Sequence, residues 1–143
     1  MSKVVSAIFS FLLVFLLFVG FSSCASQQVK REKSLKASVD NFNQKMRWQR
    51  YGEASRYIKE EYKDEFLEKS GREVDLMHIT DVQVISTELD KEDDSKGKSR
   101  VWVTYYRLPS ANLVKDLQIQ TWTYDPIAQV WNIDLPEFEK SKQ

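Results

Sequence analysis

Residues 4–21 are apolar almost without a break, with Ser6, Ser10 and Gly20 as the interruptions. A polar stretch follows, "ASQQVKREKSLKA" at residues 25–37. From there Val39, Phe42, Met46 and Ala54 recur at near-helical spacing, and Trp48 and Tyr51 widen the stripe. Ser38 or Asp40 supplies the short side-chain oxygen that caps a first turn. Gly52 is expected to end this helix in a left-handed conformation. A second helix is predicted from about Glu53, with Tyr62, Phe66 and Leu67 on its apolar side, charged residues on a solvated face and Gly71 as its end.

The period then changes to two. Residues 79–89 alternate, with Val82, Val84 and Ser86 against Ile85, Thr87 and Leu89. Beyond the charged loop "DKEDDSKGK", Val101, Val103 and Tyr105 share one face and Trp102, Thr104 and Tyr106 the other. Leu117, Ile119, Thr121 and Thr123 are in phase in a third segment, and "VWNIDL" is a short fourth. Such β-branched and aromatic runs read as half-buried strands. Helices followed by consecutive antiparallel strands predict an α+β fold, with N-terminal helices on one face of an antiparallel sheet of about four strands. If Leu117, Ile119 and Thr121 face the helices, Trp122 and Tyr124 have the opposite parity and present their rings to a partner or ligand. Trp131, in phase with Ile133 and Leu135, is expected in the core.

The apolar leader ends on Cys24, the one cysteine of the chain. A basic start (Lys3), an apolar middle and Ser22-Ser23 follow the order of a secretory signal. Phe21-Ser22-Ser23-Cys24 resembles the lipobox of bacterial lipoproteins, although Phe21 stands where Leu is usual. That resemblance implies a diacylglyceryl group on the Cys24 sulfur and cleavage just before it. Each buried acyl CH₂ contributes roughly 0.8 kcal/mol to membrane attachment, so two or three chains hold a protein where one is marginal. Ala25 lacks the Asp that, in the sorting rule of many two-membrane bacteria, favours inner-membrane retention. The expected location is therefore the cell envelope, at the outer membrane and facing the periplasm. The expected division is signal peptide at 1–23, lipidated cysteine and polar linker at 24–37, one domain at 38–138 and a polar tail at 139–143.

Charge narrows the partners. The chain has 21 Lys and Arg against 21 Asp and Glu, a balance with no field to gather nucleic acid. Lys30, Arg31, Lys33 and Lys36 make the linker basic, but Glu32 interrupts the strip. A single cysteine leaves no intramolecular disulfide, and the domain is expected as a monomer or weak dimer.

The order of a first helix, Arg47-Trp48 and Tyr51-Gly52-Glu53-Ala54, a second helix and Ile79-Thr80-Asp81 looks like small bacterial lipoproteins of the nuclear-transport-factor-two-like superfamily. "TWTYDPIAQVWNID" is similar to that superfamily's final hairpin, so the resemblance covers roughly residues 38–135. It implies a strongly curved sheet wrapping a long helix into a cone with an open mouth. Some enzymes of the superfamily place a His and an Asp in that cone for isomerisation or dehydration, which would make His78 with Asp81 or Asp134 the catalytic pair. An imidazole titrating near about 6.5 suits such work. Yet His78 and Asp81 stand three apart on an extended segment and tend to opposite faces.

Other chemistry is sparse. Asp90, Glu92 and Asp94 fit the first acidic positions of a calcium loop, but Ser95 stands where its glycine belongs and Val101 where its last glutamate belongs. That loop reads as a solvated hairpin tip, and one histidine with one lipidated cysteine makes no zinc site. No metal or cofactor is expected. Trp102, Trp122, Trp131, Tyr105 and Tyr124 either line a ligand pocket or fill the packed face of the sheet. The favoured reading is a non-catalytic envelope domain that binds a partner protein or an apolar small molecule; the alternative is the His/Asp enzyme.

Overall fold

Leu35, Val39, Phe42 and Met46 form a single stripe, and each is at most 4% exposed. The computed structural model, which describes residues 22–133, carries this stripe on α1 (Ser22–Arg47). The helix therefore begins well before Ser38, and the expected linker at 24–37 is helical instead. The run has neither Pro nor Gly, and twelve of its 26 residues are Ala, Gln, Lys, Arg or Glu, good helix formers that favour the helical state. Glu32 and Lys36 add an ion pair at 2.8 Å across one turn. The chain divides into two compact units at Arg31 and Glu32, and the whole hydrophobic core lies in the second. Most of the leader at 1–23, Asp134, Leu135 and the tail at 139–143 lie outside the described residues.

Gly52 does not end α1. The left-handed residue is Gln49, at φ 54°. Its side-chain Nε2 donates to the carbonyl oxygens of Val74 (3.0 Å) and Met77 (3.3 Å), ties that hold the turn where a glycine was expected. Trp48 consequently leaves the apolar stripe and is exposed, with the Arg47 guanidinium 5.5 Å from its ring centroid. Gly52 sits inside α2 (Tyr51–Ala54), which tightens into a 3₁₀ turn at Ser55–Tyr57. After a second 3₁₀ turn (Glu60–Tyr62), α3 (Lys63–Glu73) buries Phe66 and Ser70, one turn apart. Tyr62 and Leu67, both expected on the apolar side, are exposed.

Gly71 lies within α3 and does not close it. Nothing comes within 4 Å of the place a Cβ would take. Gly71→Ala should therefore stabilise the domain by up to about 1 kcal/mol, through the helix propensity that glycine lacks. A higher urea midpoint with an unchanged slope would show it.

The strands β1 (Met77–Leu89), β2 (Lys96–Arg107), β3 (Val114–Asp125) and β4 (Val130–Ile133) form an antiparallel open sheet in sequence order. Two irregularities in β1, between Ile79 and Asp81 and between Val84 and Ser86, each insert one residue against β2. Each insertion reverses the side-chain parity. The inward set is therefore Met77 and Ile79, then Val82 and Val84, then Thr87 and Leu89, opposite Arg107, Tyr105, Val103, Val101, Ser99 and Gly97.

On β3 the expected face is inverted. Trp122 is fully buried, while Leu117 and Ile119 are 40% and 66% exposed. Gly97 stands directly opposite Trp122 and Ser99 opposite Gln120. A Cβ at Gly97 would collide with Leu35 Cδ2 and lie 3.1 Å from the Glu88 oxygen. A bare backbone at Gly97 thus lets Leu35 of α1 approach the sheet. Trp131 is buried as expected, and its Nε1 donates to Ser34 Oγ at 2.9 Å.

Candidate functional site

The two faces of the sheet offer different chemistry. On the inner face, α1 supplies Asn43 on the same stripe as Phe42 and Met46. Its Nδ2 donates to Gln120 Oε1 (3.0 Å) and to the Val39 carbonyl (2.8 Å), and Gln120 Nε2 donates back to Asn43 Oδ1 (2.8 Å). Ser99 Oγ donates to Gln120 Oε1 (3.1 Å) and accepts from Trp122 Nε1 (3.1 Å). Every member is buried. A buried amide without partners would cost several kcal/mol, and here each polar group has one. Among the described residues no buried side-chain nitrogen or oxygen lacks a hydrogen bond.

Beside this network lies a cavity of about 10 Å³, lined by Phe42, Met46, Ile79, Val82, Val103 and Gln118 together with the amide pair. That is the size of one water site, far from the 300–1,000 Å³ or so of a typical small-molecule pocket. Of the rings that were candidates for a ligand pocket, Trp122 and Trp131 lie in the core, and Tyr105 and Tyr124 pack against it. Trp122 meets Phe42 and Tyr57 edge-on at centroid separations of 5.8 and 6.4 Å. Tyr124, expected on the outer face, has the same parity as Trp122; it is half-buried, with its ring centroid 5.2 Å from that of Trp131. Partner contact through Trp122 is thus replaced by a structural role, and Tyr124 packs against the core.

The ring that does face outward is Trp102. Leu117 stands directly across from it on β3 and Gln83 on β1, and the Lys115 ammonium sits 5.1 Å from its ring centroid. One rank along, Arg100 lies between Ser86 and Ile119, and its Nε donates to Ser86 Oγ at 3.0 Å. Ile85, the extra residue of the second irregularity, is also exposed at 46%. Alternation alone indicated that Trp102 and Tyr105 point oppositely. It could not say which of them was inside.

His78 and Asp81 do not line the interior. By register they share the outward side, because the irregularity between Ile79 and Asp81 removes the opposite parity expected for them. His78 stacks on Tyr106 at 5.0 Å, with its Nδ1 3.4 Å from Gln49 Nε2. The Asp81 carboxylate is 63% exposed and lies 3.8 Å from the Arg47 guanidinium. Asp134, the other candidate, lies outside the described residues, as does the side chain of Cys24, whose backbone belongs to α1.

The acidic loop is organised by its own backbone. Asp90 Oδ1 accepts from the amides of Glu92 (2.9 Å) and Asp93 (3.1 Å), and Asp93 Oδ1 accepts from the Ser95 amide (3.0 Å) and hydroxyl. The Ser95 bonds, then Lys96 at 3.0 Å, pull the Asp93 carboxyl down from 3.8 to about 2. A carboxyl lowered on folding stabilises the fold fully above its unfolded value, and the gain disappears as pH falls through the folded one. The Asp93 carboxyl carbon should therefore keep its ionised NMR shift between these two values. A midpoint near the unfolded value would show that the loop bonds do not persist in solution. Glu53 is likewise lowered, chiefly by its hydrogen bond from Lys45 (3.1 Å) and also by Arg50.

Among the described residues no helix is long and apolar enough to cross a membrane, and no group of three or more His, Cys, Asp and Glu is placed to hold a metal ion. Compared with models of known protein families and with curated protein sequences, the chain matches none.

Proposed function

We propose that the chain is a lipid-anchored bacterial envelope protein, cut before Cys24 and acylated there, whose domain acts by binding and not by catalysis. The anchor reading rests on the apolar run at residues 4–21, the small Ser22-Ser23 pair and the one cysteine that follows them. Absence of an Asp after that cysteine supports the outer membrane, facing the periplasm. The resemblance to the nuclear-transport-factor-two-like superfamily belongs to the same reading, with α1 against the inner face of a curved sheet.

The observation that carries the binding reading is the contrast between the two faces. Inside, the cavity beside the satisfied amide network has room for about one water. Outside, Trp102, Leu117 and Ile119 stand among cations on an open face. A partner broad enough to cover that face fits better than an apolar small molecule held within. The His/Asp enzyme gains no support from a histidine stacked on the outer side.

Labelled palmitate tests the anchor. Cys24→Ala should abolish incorporation and the mobility shift that accompanies signal cleavage. Unchanged labelling in that variant would overturn the reading.

A further inference from the structure

Across the middle of the outer face stand Lys98, Arg100, Trp102 and Thr104 on β2 and Lys115, Leu117, Ile119 and Thr121 on β3. These eight positions hold three cations and no carboxylate; Asp125 lies outward at the end of β3, and Asp81 on β1 stands opposite Thr104 in the rank of Lys115. Glu88 faces Lys98 from β1, but Arg100 and Lys115 have Ser86, Ile119 and Thr104 across the ladder. Between them lie Trp102, Leu117 and Ile119, the last two 40% and 66% exposed. In a chain with equal numbers of acidic and basic residues, this separation of charge is local.

We propose that this face docks on the anionic headgroup layer of the membrane to which the chain is tethered, a step that rests on the anchoring through Cys24. A bilayer surface offers both things the face displays: negative charge for Arg100 and Lys115, and an apolar boundary for the side chains between them. Indoles favour that boundary depth, and long cationic side chains extend from it toward the phosphates. Lys115 already stands over the Trp102 ring, so the ring and its cation would meet the interface together. A second copy stacked on this face would bring Arg100 and Lys115 against their own kind, a like-charge contact that disfavours pairing. A small anion would find no enclosure, because the cations lie along an open sheet and do not converge.

The test uses the full-length acylated chain, reconstituted in phosphatidylcholine vesicles with or without phosphatidylglycerol, part of the lipid carrying bromine on its acyl chains. Bromine quenches indoles only on contact. Trp122 and Trp131 are buried, and comparison with Trp102→Phe removes the contribution of Trp48. Quenching that depends on Trp102 should appear with phosphatidylglycerol, be absent in phosphatidylcholine alone and fall at high salt. Arg100→Glu with Lys115→Glu should raise the phosphatidylglycerol needed for half-maximal quenching by at least about fivefold per cation. Circular dichroism and the unfolding midpoint establish that each variant is folded.

Equal quenching in the two vesicle types, or in wild type and Trp102→Phe, would overturn the proposal. So would Trp102 shielded from aqueous acrylamide yet untouched by bromolipid, since a protein partner or a second copy would then cover the face. The tether is read separately: a chain that washes off both vesicle types at high salt refutes the acyl anchor, whatever Trp102 reports.

Discussion

Trp122→Ala should destabilise the domain by about 3–5 kcal/mol, the usual cost of emptying a buried tryptophan site. The indole is fully buried, meets Phe42 and Tyr57 edge-on, and donates from Nε1 to Ser99 Oγ. Its loss opens a void beneath α1 and leaves Ser99 with one partner fewer inside a connected polar network. Against a total stability of about 5–15 kcal/mol for an ordinary domain, that is enough to leave much of the chain unfolded. Trp131→Ala should be comparable, because it too is buried and loses its bond to Ser34. Trp102→Ala, on the outer face, should cost far less. Urea unfolding of the three variants checks this order. A Trp122 variant as stable as the Trp102 variant would mean that β3 faces the other way.

Starting the chain at Ser38 should prevent stable folding, whereas starting it at Ser26 should not. The shorter chain lacks Leu35, which is fully buried in the core, and Ser34, whose hydroxyl accepts the Trp131 indole proton. Removing a buried leucine alone costs about 2–5 kcal/mol. Residues 38–47 would also be all that remains of α1, less than the roughly 12–15 residues at which an isolated helix becomes even marginal. Far-UV circular dichroism and thermal unfolding of the two chains, purified side by side, would show the difference. A cooperative transition at the same temperature in both would return Leu35 and Ser34 to a dispensable linker.

Several elements were legible in the sequence alone. The helical spacing of Val39, Phe42 and Met46 and the alternation in β2 follow from local geometry, in which a residue's face depends only on its neighbours in the chain. The α+β order followed as well. Three features were not legible, and each depends on a distant residue. Leu35 counts as core because it meets Gly97, on another element. Gln49 ends α1 in place of Gly52 because Val74 and Met77 lie within reach of its side chain. On β1, two inserted residues reverse a parity that strict alternation would have kept.

The candidate surface shows the same limit most clearly. On β3, "LQIQTW" alternates equally well in either orientation, and hydrophobicity favours burying Leu117 and Ile119. The amino-acid sequence by itself determined the helices-then-strands order, the alternation of β3 and the apolar run that ends at Cys24. Which face of β3 turns inward was decided by the tertiary structure. The Trp122 ring meets Phe42 and Tyr57 edge-on, and Asn43 on α1 pairs with Gln120 across 77 positions of the chain. Those contacts put Gln120 and Trp122 inside and leave Leu117, Ile119 and Trp102 outside, because a strand has one parity and the partners that choose it lie elsewhere in the chain.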